Sequence, residues 1–75
     1  MKKILLDITK AIVEDPDSVS VSEKVSGDTI VLELSVAKQD MGRVIGKEGK
    51  IAKSIRTVMR AAAAKENKRV IVDII

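Results

Sequence analysis

Val44-Ile45-Gly46-Lys47-Glu48-Gly49-Lys50-Ile51 decides how the rest of this chain is read. Two glycines frame two charged residues, an apolar pair precedes them, and the longest helical pattern in the chain follows. Glycine reaches positive φ without a Cβ penalty and lets a foreign backbone come close. The start of the following helix leaves N–H groups without intrahelical partners, and its dipole favours an anion there. Lys47 and Lys50 add mobile positive charge beside those donors. The combination suits a sugar-phosphate backbone lying across the loop. It does not suit nucleotide hydrolysis, which calls for G-x-x-x-x-G-K-[ST]. Gly42 to Gly46-Lys47 is one residue too short, Glu48 stands where a magnesium-binding hydroxyl belongs, and no G-x-G fingerprint occurs.

Outward on the C-terminal side, Ile51, Ile55, Val58, Met59 and Ala62 recur at helical spacing, with Lys50, Lys53, Ser54, Thr57 and Arg60 opposite. Ala61 to Ala64 strengthen the helix, and Asn67 is placed to cap it. Met59 reads as core filling rather than as a ligand. Val70, Val72 and Ile74 then alternate with Ile71, Asp73 and Ile75 as a strand. On the N-terminal side, Asp40 is a candidate N-cap for a short helix through Met41, Arg43, Val44 and Ile45. Before it, Ile30, Leu32, Leu34 and Val36 form one face of a strand whose other face is Val31, Glu33 and Ser35. Ser26-Gly27-Asp28 joins it to a strand marked by Val19, Val21 and Val25, so the pair reads as an antiparallel hairpin. Ile4, Leu5, Ile8, Ala11 and Ile12 mark a first helix over about residues 2–14, ended by Asp15-Pro16-Asp17.

The last strand follows the second by way of two helices, so the two are expected as parallel neighbours. The fold expected is α+β in the order α-β-β-α-α-β, a three-stranded mixed sheet with three helices on one face. Seventy-five residues support one core, so residues 1–75 are read as a single domain.

Composition limits the chemistry. Phe, Tyr, Trp, Cys and His are all absent. Stacking of bases on aromatic platforms is therefore excluded, as are disulfides and thiolate metal sites. No pair of carboxylates converges on a recognisable pocket, so no enzyme, metal or cofactor is expected. The opening Met1-Lys2-Lys3-Ile4-Leu5-Leu6 briefly imitates a signal peptide, but Asp7, Lys10 and Glu14 interrupt it. With no apolar run long enough for a membrane span, a cytoplasmic protein is expected. The net charge of +3 is uneven: residues 1–37 carry −3, residues 38–60 carry +5 and residues 61–75 carry +1. The basic third is the one that holds the glycine loop, which points to an anionic polymer.

Loop, element order and length together resemble a KH domain of the bacterial type II arrangement, as in the small single-domain KH RNA-binding proteins of the KhpA type. The resemblance covers essentially the whole chain. It implies a clamp on the backbone of about four single-stranded nucleotides. By position, Gly46 and Gly49 permit close approach, Lys47 and Glu48 project at the tip, and Arg43, Lys50 and Lys53 bear on phosphates, with Ser54 alongside. Val44, Ile45 and Ile51 either wall an apolar groove for bases or belong to the core. Glu48 departs from the basic or neutral tip of many members. An RNA chaperone or post-transcriptional regulator is the function this implies. The alternative is an interaction subunit pairing through its sheet, where Val31, Ile71 and Ile75 need cover, with a second KH-containing protein or with itself.

Overall fold

The computed structural model describes residues 1–75. α1 (Lys2–Ile12) leads into a single 3-10 turn at Pro16–Ser18 and then the hairpin of β1 (Ser20–Ser26) and β2 (Thr29–Ser35). A second 3-10 turn at Lys38–Asp40 opens α2 (Met41–Ile45). The glycine loop then turns into α3 (Lys50–Lys65), and β3 (Arg69–Ile74) closes the chain. The strand order is β1-β2-β3. β1 runs antiparallel to β2, with Val21 opposite Leu34 and Val25 opposite Ile30. β3 runs parallel to β2, with Val70 opposite Ile30 and Ile74 opposite Leu34. The expected element order, pairing and mixed sheet are all present.

Alternation sorts the strands as the side-chain period demands. Ile30, Leu32 and Leu34 are buried beneath the helices, and Val21 and Val72 join them from the flanking strands. Val31, Ile71 and Asp73 lie on the open face. Leu5 from α1, Val44 from α2, and Ile55 and Met59 from α3 complete one aliphatic core. Gly27 takes the positive φ expected of the hairpin turn, at +61°. Asn67 adopts φ +56° after α3, and Lys68 N–H donates back to Ala63 O, so Asn67 does end that helix through the left-handed cap.

Several inward expectations are corrected. α1 stops at Ile12, two residues early, and its buried positions are Leu5 and Thr9, while Ile4 and Ala11 are exposed. Thr9 is fully buried with its hydroxyl unpaired, a packing position that periodicity of apolar residues cannot reveal. Val25 shares a face with Val21 but is 58% exposed, because the outer end of the edge strand runs beyond the helices. In α3 the buried stripe is Ala52, Ile55, Met59 and Ala63. Val58 is therefore exposed, and Ile51 sits at the rim.

Asp40 is the largest correction. It precedes α2, yet its carboxylate makes no cap bond to that helix. The carboxylate is instead 1% exposed and accepts the N–H groups of Glu14 and Asp15 at 3.0 and 3.1 Å. This ties the α1–β1 connection to the start of α2. A five-residue helix is too short to be stable by itself, so such a tether helps hold α2, and with it the loop, in place.

Candidate nucleic-acid interface

Three of the four residues of the loop between α2 and α3, all but Lys47, have positive φ. Gly46 closes α2 at φ +76°, Glu48 has φ +58° and ψ +25°, and Gly49 has φ +75° and ψ +13°. Gly49 N–H donates to Gly46 O at 3.2 Å, which folds Lys47 and Glu48 into a tight projecting turn. Glu48 holds this conformation without being glycine, at a cost on the order of 1 kcal/mol or more. The glycines are required for different reasons. A Cβ on Gly46 would stand 2.5 Å from Ile51 Cγ1 and 2.9 Å from Ile51 N, whereas one on Gly49 would meet open space and only the positive φ opposes it. No side chain caps the start of α3, although the Lys50 N–H is already taken by Lys47 O in the preceding turn.

The three apolar candidates separate by burial. Val44 is fully buried and belongs to the core. Ile45 and Ile51, 39% and 36% exposed, flank the loop at the surface.

The cations separate by pairing. Arg43, read from the sequence as a phosphate contact, is bound to Glu14 and lies 3.7 Å from Asp40 through Nε. Lys47, Lys50 and Lys53 have no acidic partner; the remaining ion pair of the chain is Lys3 with Asp7. Ser54 turns its hydroxyl back to Lys50 O at 2.9 Å, a bond inside the helix.

At about 100° per residue, Lys53, Arg56 and Arg60 fall on one flank of α3, and that flank faces β3. Arg56 Nε donates to Val72 O at 3.1 Å across the gap. A cleft between helix and strand is lined by Arg56, Arg60, Val70, Ile71, Val72 and Asp73. It continues toward Thr29, Lys68 and Arg69. Arg60, Lys68 and Arg69 form neither ion pairs nor side-chain hydrogen bonds. Sequence reading placed Arg60 on the solvent side of α3 and gave Arg56, Lys68 and Arg69 no role. The available signal was that Lys53, Arg56 and Arg60 recur at helical spacing; which neighbour that flank would meet was not readable.

A glycine-framed turn between two helices, opening onto a basic helix flank and packed over a β-β-parallel-β sheet, defines a type II KH domain. Comparison with known families and proteins agrees. The family model described as "KhpA/KhpB, KH domain" matches residues 2–74, and the chain belongs to that family. It is 60% identical over 75 residues to RNA-binding protein KhpA of Clostridium acetobutylicum, covering 100% of both chains. It is 53% identical to the protein of the same name from Clostridium perfringens, again over both full lengths. RNA-binding protein KhpA of Chlamydia pneumoniae is 45% identical over 74 residues, 99% of this chain and 95% of that protein. Among solved structures, Aquifex aeolicus Era bound to GDP·AlF4− matches with a TM-score of 0.69 at 21% identity, over 97% of this chain and 28% of Era. Era in complex with MgGDPNP and nucleotides 1506–1542 of 16S ribosomal RNA matches with a TM-score of 0.60 at 18% identity, with the same coverage. At such identities the Era matches speak for the fold.

Proposed function

We propose that this chain is a non-catalytic, cytoplasmic RNA-binding module that clamps single-stranded RNA by its backbone at the loop of residues 46–49. Its role would be that of an RNA chaperone or post-transcriptional regulator. The observation that carries this reading is the contrast in pairing. Arg43 is neutralised within the protein, while Lys47, Lys50 and Lys53 stand free around the uncapped start of α3. Phosphates lie against the loop and those three lysines, with Gly46 and Gly49 allowing close approach. Bases turn from the backbone toward Ile45, Ile51 and the β3 side of α3. Without aromatic residues, base contacts rest on shape, apolar contact and hydrogen bonding. The name RNA-binding protein, carried by the full-length relatives, supports the same reading. No helix is long and apolar enough to cross a membrane, which accords with the cytoplasmic placement.

A second role fits beside the first. The open face of the sheet exposes Ile71 and, just past the end of β3, Ile75. That face suits pairing with a second KH-containing protein or with another copy of this chain.

The test replaces Lys47 and Glu48 together by Asp, leaving both glycines. Both side chains are exposed, so stability should change by no more than about 0.5 kcal/mol. RNA binding should weaken about tenfold or more, because two anions then stand where a phosphate must approach. Pairing through the sheet should survive. RNA titration beside thermal unfolding reads both effects. Unchanged RNA affinity with an intact fold would reduce the loop to a turn and give the lead to the pairing role.

A further inference from the structure

The helix that leads into the glycine loop is the least self-sufficient element of the fold. α2 has five residues, of which Val44 alone is buried, with Met41 half-buried beside the core. Apolar anchoring of so short a helix leaves its direction to other contacts. Those contacts are polar and lie at its start. Asp40 Oδ1 accepts the Glu14 N–H at 3.0 Å, and Oδ2 accepts the Asp15 N–H at 3.1 Å. Both carboxylate oxygens are thus engaged by the main chain that joins α1 to β1. Arg43 closes the arrangement. Its Nε lies 3.7 Å from Asp40 Oδ1, and a terminal amino group donates to the Glu14 carboxylate. Residues 14, 15, 40 and 43 therefore form a ring that joins two distant segments of the chain.

The residue types suit that task. A carboxylate offers acceptors on both oxygens and no donor, so it can take two main-chain N–H groups at once. Asparagine would keep one acceptor and set its amino group against the second N–H, donor to donor. A carboxylate only 1% exposed also needs a countercharge, and Arg43 is the cation beside it. This explains why Arg43 is held inside the protein by two acids while Lys47, Lys50 and Lys53 are not. Gly46 lies six residues beyond Asp40, about 9 Å along a helix that rises 1.5 Å per residue. Fixing the start of α2 therefore fixes where the loop begins. We infer that Asp40, steadied by Arg43, is a positioning residue of the RNA clamp. It holds the loop in its receiving conformation before RNA arrives, and so raises affinity without touching RNA. The inference rests on the clamp reading above. Its physical basis is that order already present in the free protein does not have to be imposed on binding.

Charge gives the test its sign. Neutralising an acid near a phosphate site strengthens RNA binding through the local field, whereas loss of a positioning residue weakens it. The intact protein and its Asp40→Asn, Arg43→Gln and Asp17→Asn variants are titrated with fluorescently labelled RNA octamers of mixed sequence. Titrations run at several salt concentrations, well below each melting temperature. Asp40→Asn should bind about fivefold more weakly. The slope of log K against log[salt] should stay unchanged, because the same three lysines meet the phosphates. Arg43→Gln should weaken binding about threefold, again at constant slope. Asp17→Asn removes the same charge from an exposed position on the same connection, and should bind as well as wild type or better. Backbone amide relaxation supplies a second readout. Order parameters of Gly46 to Gly49 should fall in Asp40→Asn, while those of Leu32 and Met59 stay at rigid-backbone values of about 0.85. A merely structural role would lower the melting temperature and leave loop order and affinity alone. Wild-type or tighter binding by folded Asp40→Asn would overturn the positioning role and leave the clamp standing. So would loop amides as ordered as in wild type. A full step lost from the salt slope in Arg43→Gln would make Arg43 a phosphate contact and overturn its part. Should Asp40→Asn fail to fold, Arg43→Gln, with its half-exposed side chain, decides by the same two measures. Failure of the wild type to bind any octamer would overturn the clamp and this inference with it.

Discussion

The two flanks of α3 differ more than any other pair of surfaces in this molecule. One carries Lys53, Arg56 and Arg60 toward the edge of β3, with no acidic partner for any of them. The other carries Val58, Ala61 and Ala62 toward Ile4 of α1 in a shallow apolar hollow edged by Lys65 and Glu66. A single amphipathic helix of the usual kind has one buried face and one solvated face. Here the buried stripe is narrow and built partly of alanine, at Ala52 and Ala63. That leaves two flanks free to specialise, one in charge and one in apolar surface.

The largest effect that tests this division is on stability. Met59→Ala removes a fully buried side chain and should cost about 2–5 kcal/mol. Val58→Ala, one residue away and 48% exposed, should cost well under half as much. Denaturant unfolding of both variants decides it, and similar losses would return the buried stripe to the face that periodicity alone suggests.

Gly46→Ala is the next largest. The added Cβ collides with Ile51, including its main-chain nitrogen, and φ of +76° is retained only under strain. A loss of about 1–3 kcal/mol is expected. Gly49→Ala, with open space around the new methyl, should lose less. Equal losses at the two glycines would mean that positive φ, and not the approach of Ile51, sets the requirement for Gly46.

The smallest effect compares the flanks directly through salt dependence. With Lys47, Lys50 and Lys53 on phosphates, log K should fall against log[salt] with a slope of about −2, each contact contributing about −0.7 for single strands. Lys53→Gln should reduce the slope by about one such step. Lys65→Gln on the apolar flank should leave it unchanged. Arg43→Gln should also change it little, since Glu14 already neutralises that guanidinium. A full step lost at Arg43 would show that RNA displaces Glu14.

Much of the fold was legible because its signals are local. Strict alternation in Ile30, Leu32 and Leu34 marks a buried strand wherever it occurs, and Gly27 and Asn67 announce left-handed residues by their chemistry. The candidate site was legible in part for the same reason: two glycines three apart before a helical pattern define a loop whose backbone can do little else. Illegible were the partners. Asp40 looks like an N-cap in sequence, because that role is local, but its carboxylate binds amides 25 and 26 residues away. Arg43 looks like a free cation until Glu14 is brought beside it. Thr9 carries no apolar signal, yet it is buried in the stripe of α1.

By itself, the sequence determined the element order, the mixed sheet, the position of the glycine loop and the exclusion of aromatic stacking, since each depends on residue type and short-range spacing. Only the tertiary structure decided which cations are free and which are spent, that Val44 is core while Ile45 and Ile51 border the surface, and that Arg56 and Arg60 share a cleft with β3. Those outcomes depend on which side chains meet across long separations. That is settled by the angle at which α3 lies on the sheet, and no window of neighbouring residues contains it.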